Sequence, residues 1–83
     1  MALSRDEVMA KVREHLATEL EVDPLKIDDR TRFGADLEAD SLDLYELVME
    51  LEDTYGIKVS ERDAARIETV GDAVDFVHGR LAG

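Results

Sequence analysis

Apolar residues recur every three or four positions in three stretches of this 83-residue chain. That spacing is typical of amphipathic α-helices, and in the second stretch Leu42, Tyr45 and Met49 form a stripe distinct from the inward Leu47, Val48 and Leu51. The positions are Val8, Val12, Leu16 and Leu20, then Leu42, Tyr45, Leu47, Val48, Met49, Leu51 and Tyr55, and finally Val70, Val74, Val77 and Leu81. Each apolar face has to be covered by another element, so the pattern predicts helices packed against one another. Only 5% of the residues are aromatic, which also disfavours a β-sandwich.

Polar residues suited to helix N-caps precede four predicted helices. They are Ser4, Asp40, Ser60 and Thr69. The second helix is predicted from about Ser41 to Tyr55, with Gly56 as its stop. The helix after Ser60 is short and ends near Ile67. The sequence therefore predicts an all-α fold, a small four-helix bundle of three longer helices and one short helix.

A long connection, residues 21–39, separates the first two predicted helices. A loop of this length in a compact domain has to pack against the rest of the chain or carry a function. Its hydrophobic residues are Val22, Leu25, Ile27, Phe33 and Leu37. We expect these to anchor the loop across the bundle, with Phe33 in the core. Proline suits the first position of a helix, so Asp23-Pro24 predicts a short helical turn within the loop.

Negative charge is concentrated in one part of the chain. The formal net charge is −11, and eight acidic residues with no Lys or Arg lie between Phe33 and Ile57. This balance argues against nucleic acid and anionic membranes as partners. A solvated helix face would explain a charge run of ordinary size. Here the carboxylates repel one another, and this repulsion destabilises a surface that only solvates a helix. We therefore favour the interpretation that these acids form a docking surface for basic protein partners.

Composition also limits the compartment and the number of domains. The chain has no cysteine, which excludes disulfides and cysteine-ligated metal sites. Its N-terminus lacks an apolar signal region, and no run approaches the ~20 apolar residues of a membrane span. We expect a soluble cytoplasmic monomer whose single domain spans residues 1–83.

Ser41 stands where an acidic loop turns into the second predicted helix. The N-terminus of a helix exposes unpaired N–H groups and the positive end of the helix dipole, which favour a phosphate group. A phosphodiester on the Ser41 hydroxyl is therefore physically plausible. A serine at this position is also a common N-cap, and the serine alone does not separate the two interpretations.

The residues around Ser41 closely resemble those of the bacterial acyl carrier proteins. The shared pattern is Asp40-Ser41-Leu42-Asp43, then Glu46-Leu47-Val48-Met49-Glu50-Leu51-Glu52 and Tyr55-Gly56-Ile57, and finally Thr69-Val70-Gly71-Asp72-Ala73-Val74-Asp75-Phe76-Val77. The resemblance runs from about Val8 to Val77. It implies that Ser41, in a motif with Asp40, carries 4′-phosphopantetheine, whose thiol holds an acyl chain. It further implies that a separate phosphopantetheinyl transferase attaches this group from coenzyme A.

The resemblance implies a carrier without catalysis of its own, serving fatty acid synthesis enzymes that have basic docking patches. The residues expected to dock these partners are Leu42, Asp43, Tyr45, Glu46, Met49, Glu52 and Asp53. Those expected to line a pocket for the acyl chain are Phe33, Leu47, Val48, Leu51 and Ile67. A carrier for a polyketide or aminoacyl pathway is the close alternative. An unmodified acidic protein-interaction module is the alternative from another class.

The spacing of the residues around Ser41 does not match the pattern of a calcium site or of a serine hydrolase. Asp36, Glu38 and Asp40 imitate the first ligands of an EF-hand loop, but Ser41 stands where glycine is needed and Leu47 where a bidentate glutamate is needed. We therefore predict no metal site. A serine hydrolase would need a base and an oxyanion hole, and no Gly-x-Ser-x-Gly motif is present.

Four positions depart from the pattern of the family. Glu38 stands where glycine is common, three residues before Ser41, and Ser60 stands where proline is frequent. Leu44 and Tyr45 replace smaller residues that often follow the motif. The change at Glu38 is expected to alter how closely the loop approaches partners. The bulk of Tyr45 leaves open whether the partners belong to general fatty acid synthesis or to a dedicated acyl pathway.

Overall fold

The computed structural model describes residues 4–82, which form four α-helices and one short 3₁₀ turn. The α-helices are α1 (Arg5–Leu20), α2 (Ser41–Tyr55), α3 (Glu61–Ala65) and α4 (Val70–Ala82), and the 3₁₀ turn is Pro24–Lys26. The predicted all-α class, with three longer helices and one short helix, is confirmed. The bounds predicted for the second helix match those of α2.

The helices share one aliphatic core. α1 and α4 make the most extensive contact, and α2 packs against both. The side chains buried at this centre are Val8, Val12, Leu16, Ile27, Leu47, Leu51, Val70, Val74 and Val77. Burying one Val or Leu side chain contributes roughly 1.5–3 kcal/mol, so these buried side chains make a large contribution to stability.

Capping side chains set the helix starts. The Ser4 hydroxyl accepts a hydrogen bond from the Glu7 N–H at 3.2 Å, and Ser60 and Asp63 cap α3 reciprocally. α3 ends at Ala65, two residues before the predicted end near Ile67. The Ile67 side chain is buried in the core, so the chain leaves the helix to bring it inward.

The connection between α1 and α2 lies across the bundle and is anchored at two buried residues. Ile27 is 0% exposed and Phe33 is 4% exposed, as expected for anchors. The predicted turn is present, with the Asp23 carboxylate accepting from the Leu25 N–H at 2.9 Å. The prediction that Leu25 anchors the loop is wrong. Leu25 lies within the 3₁₀ turn, which directs its side chain outward, and it is 91% exposed.

Backbone hydrogen bonds fasten residues 29–33 of the connection to residues 68–71 at the start of α4. We call this arrangement the loop clamp. The Phe33 N–H donates to the Glu68 carbonyl at 3.1 Å, and the Val70 N–H donates to the Thr31 carbonyl at 2.9 Å. The Gly71 N–H donates to the Asp29 carbonyl at 3.0 Å. The clamp satisfies loop groups that would otherwise lose hydrogen bonds on burial.

The loop clamp requires a glycine at position 71. A Cβ atom added to Gly71 would lie 2.7 Å from the Asp29 carbonyl oxygen.

The Arg5 guanidinium of α1 stabilises the same region, contacting the carboxylates of Asp75 at 2.6 Å and Asp29 at 2.7 Å. The hydrogen bond to Asp75 is the largest cause that raises the pKa of Arg5 above its ordinary value, and the hydrogen bond to Asp29 is the next.

We expect Gly71→Ala to lower the free energy of unfolding by about 1–3 kcal/mol, because the added methyl group has to push Asp29 away and strain the loop clamp. Gly79→Ala is the matched control, since Gly79 also lies in α4 and has no atom within 4 Å of an added Cβ. There the better helix propensity of alanine should be neutral or stabilise by up to ~1 kcal/mol. Urea unfolding followed by circular dichroism measures both. Equal midpoints for parent and Gly71→Ala would contradict the close approach.

Candidate functional site

Ser41 is the first residue of α2, and its neighbours supply the helix cap. The Asp40 carboxylate accepts from the Asp43 N–H at 2.9 Å, and the Asp43 carboxylate accepts from the Asp40 N–H at 3.1 Å. Asp40 is therefore the N-cap, as predicted. Ser41 is exposed, and because the capping role is filled by Asp40, its hydroxyl is available for chemistry.

Two open clefts meet at Ser41. The loop cleft, of about 310 Å³, is lined by Arg32, Phe33, Gly34, Ala35, Ala39, Asp40, Ser41, Leu44, Ile67 and Glu68. The α2–α3 cleft, of about 460 Å³, is lined by Ser41, Leu44, Tyr45, Val48, Glu52, Val59, Ser60, Glu61, Ala64 and Ala65. Ser41 and Leu44 belong to both clefts, so a group attached to the Ser41 hydroxyl could enter either.

The structure distributes the five predicted pocket residues over three places. Phe33 and Ile67 line the loop cleft, and Val48 lines the α2–α3 cleft. Leu47 and Leu51 are 0% and 2% exposed and line neither cleft, because they face the core.

Sequence reasoning missed Leu44 as a lining residue of both clefts. Its position three residues after Ser41 was the available signal, since residues three apart share a helix face.

The predicted docking residues lie along the exposed side of α2. Leu42, Tyr45 and Met49 are 62%, 61% and 45% exposed, and their grouping on one side of a helix is a feature of interaction surfaces. Glu46 and Asp53 are exposed, and Asp43 is half-buried by its capping role. The surface therefore combines apolar side chains with carboxylates.

Glu52 has a structural contact that its sequence position did not indicate. Its carboxylate accepts a hydrogen bond from the Val59 N–H at 2.8 Å and so ties α2 to the segment before α3. The side chain is half-buried and forms part of the α2–α3 cleft. Replacing Glu52 would disturb this connection as well as the charge of α2.

Comparison with known proteins places this chain in a family. A sequence model described as the phosphopantetheine attachment site matches residues 10–77. The chain is 44% identical to the acyl carrier protein of Rubrobacter xylanophilus over 90% of this chain and 93% of that protein. It is 40% identical to the acyl carrier protein of Thermotoga maritima over 94% and 96%. The chain belongs to the acyl carrier protein family.

The fold of a solved acyl carrier protein agrees. The structure from Enterococcus faecalis matches with a TM-score of 0.81 and 38% identity, covering 93% of this chain and 98% of that one. Members of this family carry acyl groups on 4′-phosphopantetheine and are not themselves enzymes, which confirms the cofactor and the carrier function predicted from sequence. Family membership also implies interaction with a phosphopantetheinyl transferase and with synthesis enzymes.

The residues at the site fit the arm of an acyl carrier protein. An exposed hydroxyl is present at the start of a helix, and two clefts extend from it.

Among residues 4–82, no three His, Asp or Glu side chains are grouped so that they could hold a metal ion. None of the helices in that range is long and apolar enough to span a bilayer.

α3 forms one wall of the α2–α3 cleft, and its start is held by charge. The Asp63 carboxylate accepts from the Ser60 N–H at 3.3 Å and from the Arg80 guanidinium at 3.3 Å. The pKa of Asp63 is lowered, first by a hydrogen bond from the Ser60 side chain and then by one from the Ser60 N–H. The positive charges of Arg80 and Arg66 lower it further. The carboxylate form is favoured by the fold, so this contribution is present near neutral pH and is lost as pH falls through the lowered pKa.

Glu38 adopts a left-handed backbone conformation close to the site. Its φ is 55°, a value that costs a non-glycine residue roughly 1–2 kcal/mol. The conformation follows from the folded loop around it, in which the Ala39 N–H donates to the Phe33 carbonyl at 2.8 Å. Glycine would adopt this conformation without the steric cost, which explains physically why the family commonly has glycine here.

We expect Glu38→Gly to raise the free energy of unfolding by up to about 1 kcal/mol, because the steric cost is relieved and only partly offset by the ~0.5–1 kcal/mol entropy cost of glycine. Glu21→Gly is the matched control, since Glu21 is exposed, has the same φ of 55° and caps the far end of α1. Both variants should unfold at higher urea concentration than the parent. Destabilisation by Glu38→Gly alone would show that the Glu38 side chain makes a compensating contact.

Proposed function

We propose that Ser41 is the attachment site of 4′-phosphopantetheine and that the chain delivers acyl thioesters from this arm to successive synthesis enzymes. The observation that carries the proposal is that the Ser41 hydroxyl lies exposed where two clefts meet, while Asp40 performs the capping. The position agrees with the match of residues 10–77 to the phosphopantetheine attachment family.

The chemistry required of this chain is limited to its hydroxyl. The Ser41 oxygen forms a bond to the coenzyme A phosphorus that bears the pantetheine arm and loses its proton, while the bond from that phosphorus to the neighbouring phosphate breaks and adenosine 3′,5′-bisphosphate leaves. The positive end of α2 favours the phosphodiester anion that results. The attached group supplies the thiol that holds the acyl chain as a thioester. Asp40 and Asp43 keep the first turn of α2 fixed, so the oxygen is presented at a constant position.

The direct test is the mass of the intact protein after incubation with coenzyme A and a broad-specificity phosphopantetheinyl transferase. We expect the parent to gain one phosphopantetheine and Ser41→Ala to gain none while keeping its helical circular dichroism. Ser60→Ala is the control, because Ser60 also lines a cleft and caps a helix. A mass gain on Ser41→Ala, or none on the parent, would refute the assignment.

We further propose that the acyl chain lies in the α2–α3 cleft. Among its lining residues, Leu44, Val48, Ala64 and Ala65 provide an apolar surface beginning at Ser41. Reaching Leu47 and Leu51, which the sequence analysis included in the pocket, would require opening the core, because both side chains are at most 2% exposed. The loop cleft, with Phe33 and Ile67, is the alternative path.

Thermal unfolding distinguishes the two paths. A medium-length acyl form, such as octanoyl, should melt at a higher temperature than the form with a free thiol, since a chain bound to the folded state stabilises it. Ala64→Phe should fill the α2–α3 cleft and abolish that increase, whereas Ala35→Phe, in the loop cleft, should leave it intact. The opposite pattern would place the chain in the loop cleft.

The docking surface proposed for partners consists of the apolar residues Leu42, Tyr45 and Met49 with the carboxylates of Asp43, Glu46, Glu52 and Asp53. Apolar contact anchors a partner, and the surrounding charge accelerates its approach. The segment from Phe33 to Ile57 contains no base that would neutralise this field. Partners with basic patches, including a phosphopantetheinyl transferase, suit the surface best.

Charge reversal tests the docking surface without disturbing the Glu52 hydrogen bond. We expect Glu46→Lys with Asp53→Lys to slow phosphopantetheinylation at low ionic strength, with the defect shrinking as salt screens the charges. Glu14→Lys with Glu19→Lys makes the same change in net charge on exposed positions of α1 and serves as the control. Equal slowing in both pairs would show a general effect of net charge. No slowing by the α2 pair at low salt would exclude docking through these acids.

Fatty acid synthesis is the pathway we propose for the carrier, with a polyketide or aminoacyl pathway as the alternative. The support is the similarity to acyl carrier proteins along almost the whole chain. A single carrier domain over residues 1–83, a monomeric state and a cytoplasmic location remain predictions. Loading assays with fatty acid and polyketide acyl transferases would distinguish the pathways.

A further inference from the structure

Among the residues that the structure describes, Arg32 is the one positively charged side chain that lines either cleft at Ser41. The loop cleft contains Arg32 together with the carboxylates of Asp40 and Glu68. The α2–α3 cleft contains the carboxylates of Glu52 and Glu61, and no Lys or Arg within residues 4–82 lines it. A group attached to Ser41 therefore meets a cation only on the side of the loop cleft.

Backbone bonds hold Arg32 at this place. Its N–H donates to the Asp36 carboxylate at 2.8 Å, and its carbonyl accepts from the Asp36 and Leu37 N–H groups, each at 3.1 Å. Arg32 also pairs with Thr69 in an isolated antiparallel bridge within the loop clamp. The side chain thus extends from a backbone that is fixed relative to α2 and α4.

The guanidinium of Arg32 is exposed and forms no ion pair with a carboxylate in the part of the chain that the structure describes. Arg5 and Arg80, by contrast, each contact an aspartate. An unpaired arginine in such an acidic neighbourhood remains available for an anion. The planar guanidinium donates pairs of hydrogen bonds in a geometry that matches phosphate oxygens.

We propose that the Arg32 guanidinium contacts the phosphodiester oxygens of the arm on Ser41 and acts as a positioning residue for it. The inference rests on Ser41 as the attachment site. The contact would offset the repulsion between the phosphodiester and the carboxylates of Asp40 and Asp43. It would also hold the base of the arm on the loop-cleft side, leaving the rest of the arm to extend toward partners or into a cleft.

The test uses the pantetheinylated protein, with attachment verified by mass. In protein labelled with ¹⁵N, the Arg32 side-chain Nε–Hε signal should shift between the unmodified and modified forms. The Arg30 signal should not, since Arg30 is an exposed arginine two residues away that lines a different cleft. The ³¹P resonance of the arm should shift in Arg32→Gln and remain at the parent position in Arg30→Gln. Arg32→Lys should produce a smaller ³¹P change than Arg32→Gln, because charge is kept while the fork of donors is lost.

The outcomes separate this proposal from the one on which it depends. A parent that gains no phosphopantetheine overturns the Ser41 assignment and this inference with it. If the parent is modified but its Arg32 Nε–Hε signal does not shift, or if the ³¹P resonance does not shift in modified Arg32→Gln, only the Arg32 contact is overturned. A change confined to the transferase rate would assign Arg32 to the partner interface and likewise overturn it.

Discussion

The hydrogen bonds of the loop clamp are the constraint on which the site depends. They join residues 29–33 to residues 68–71, segments far apart in sequence, and they require the close approach that Gly71 allows. Phe33 is buried beside this contact, and its carbonyl accepts from the Ala39 N–H immediately before the cap of α2. The position of Ser41 relative to the bundle therefore follows from the clamp as well as from the packing of α2.

The residues of α2 face three environments. Leu47 and Leu51 pack in the core, and Leu44 and Val48 line clefts that begin at Ser41. Leu42, Tyr45 and Met49 remain exposed among carboxylates. The acids of α2 have no basic partners within the helix, although Glu50 contacts Lys11 of α1 at 3.6 Å. Burial of apolar side chains compensates for the missing pairs within the helix. The proposed function would use this combination, because one helix would then be held in the core, present Ser41 and meet several partners.

Local signals allowed the helices to be predicted, while distant contacts could not be read from the sequence. Asp40 and Gly56 bounded α2 correctly because caps and stops act within a few residues. Leu25 was misplaced since hydrophobicity alone does not reveal which way a turn directs a side chain. The loop clamp joins separate segments through backbone groups, and the Glu52 carboxylate accepts from the backbone N–H of Val59 seven residues later. Neither contact leaves a periodic signal in the sequence. The proposal for Ser41 came from its motif, whereas the clefts beside it and the placement of Arg32 could be described only from the fold.

Amide hydrogen exchange in the native state tests most directly whether the loop clamp holds the serine-bearing turn. Amides that report the clamp are those of Phe33, Val70 and Gly71, with Ala39 reporting the link to α2. If the clamp is part of the cooperative core, these amides should exchange nearly as slowly as core amides of α1 and α4, through global unfolding. Exchange of Phe33 and Ala39 at the rate of an unstructured chain, while the helices stay protected, would contradict the account and show that Ser41 is positioned by α2 alone.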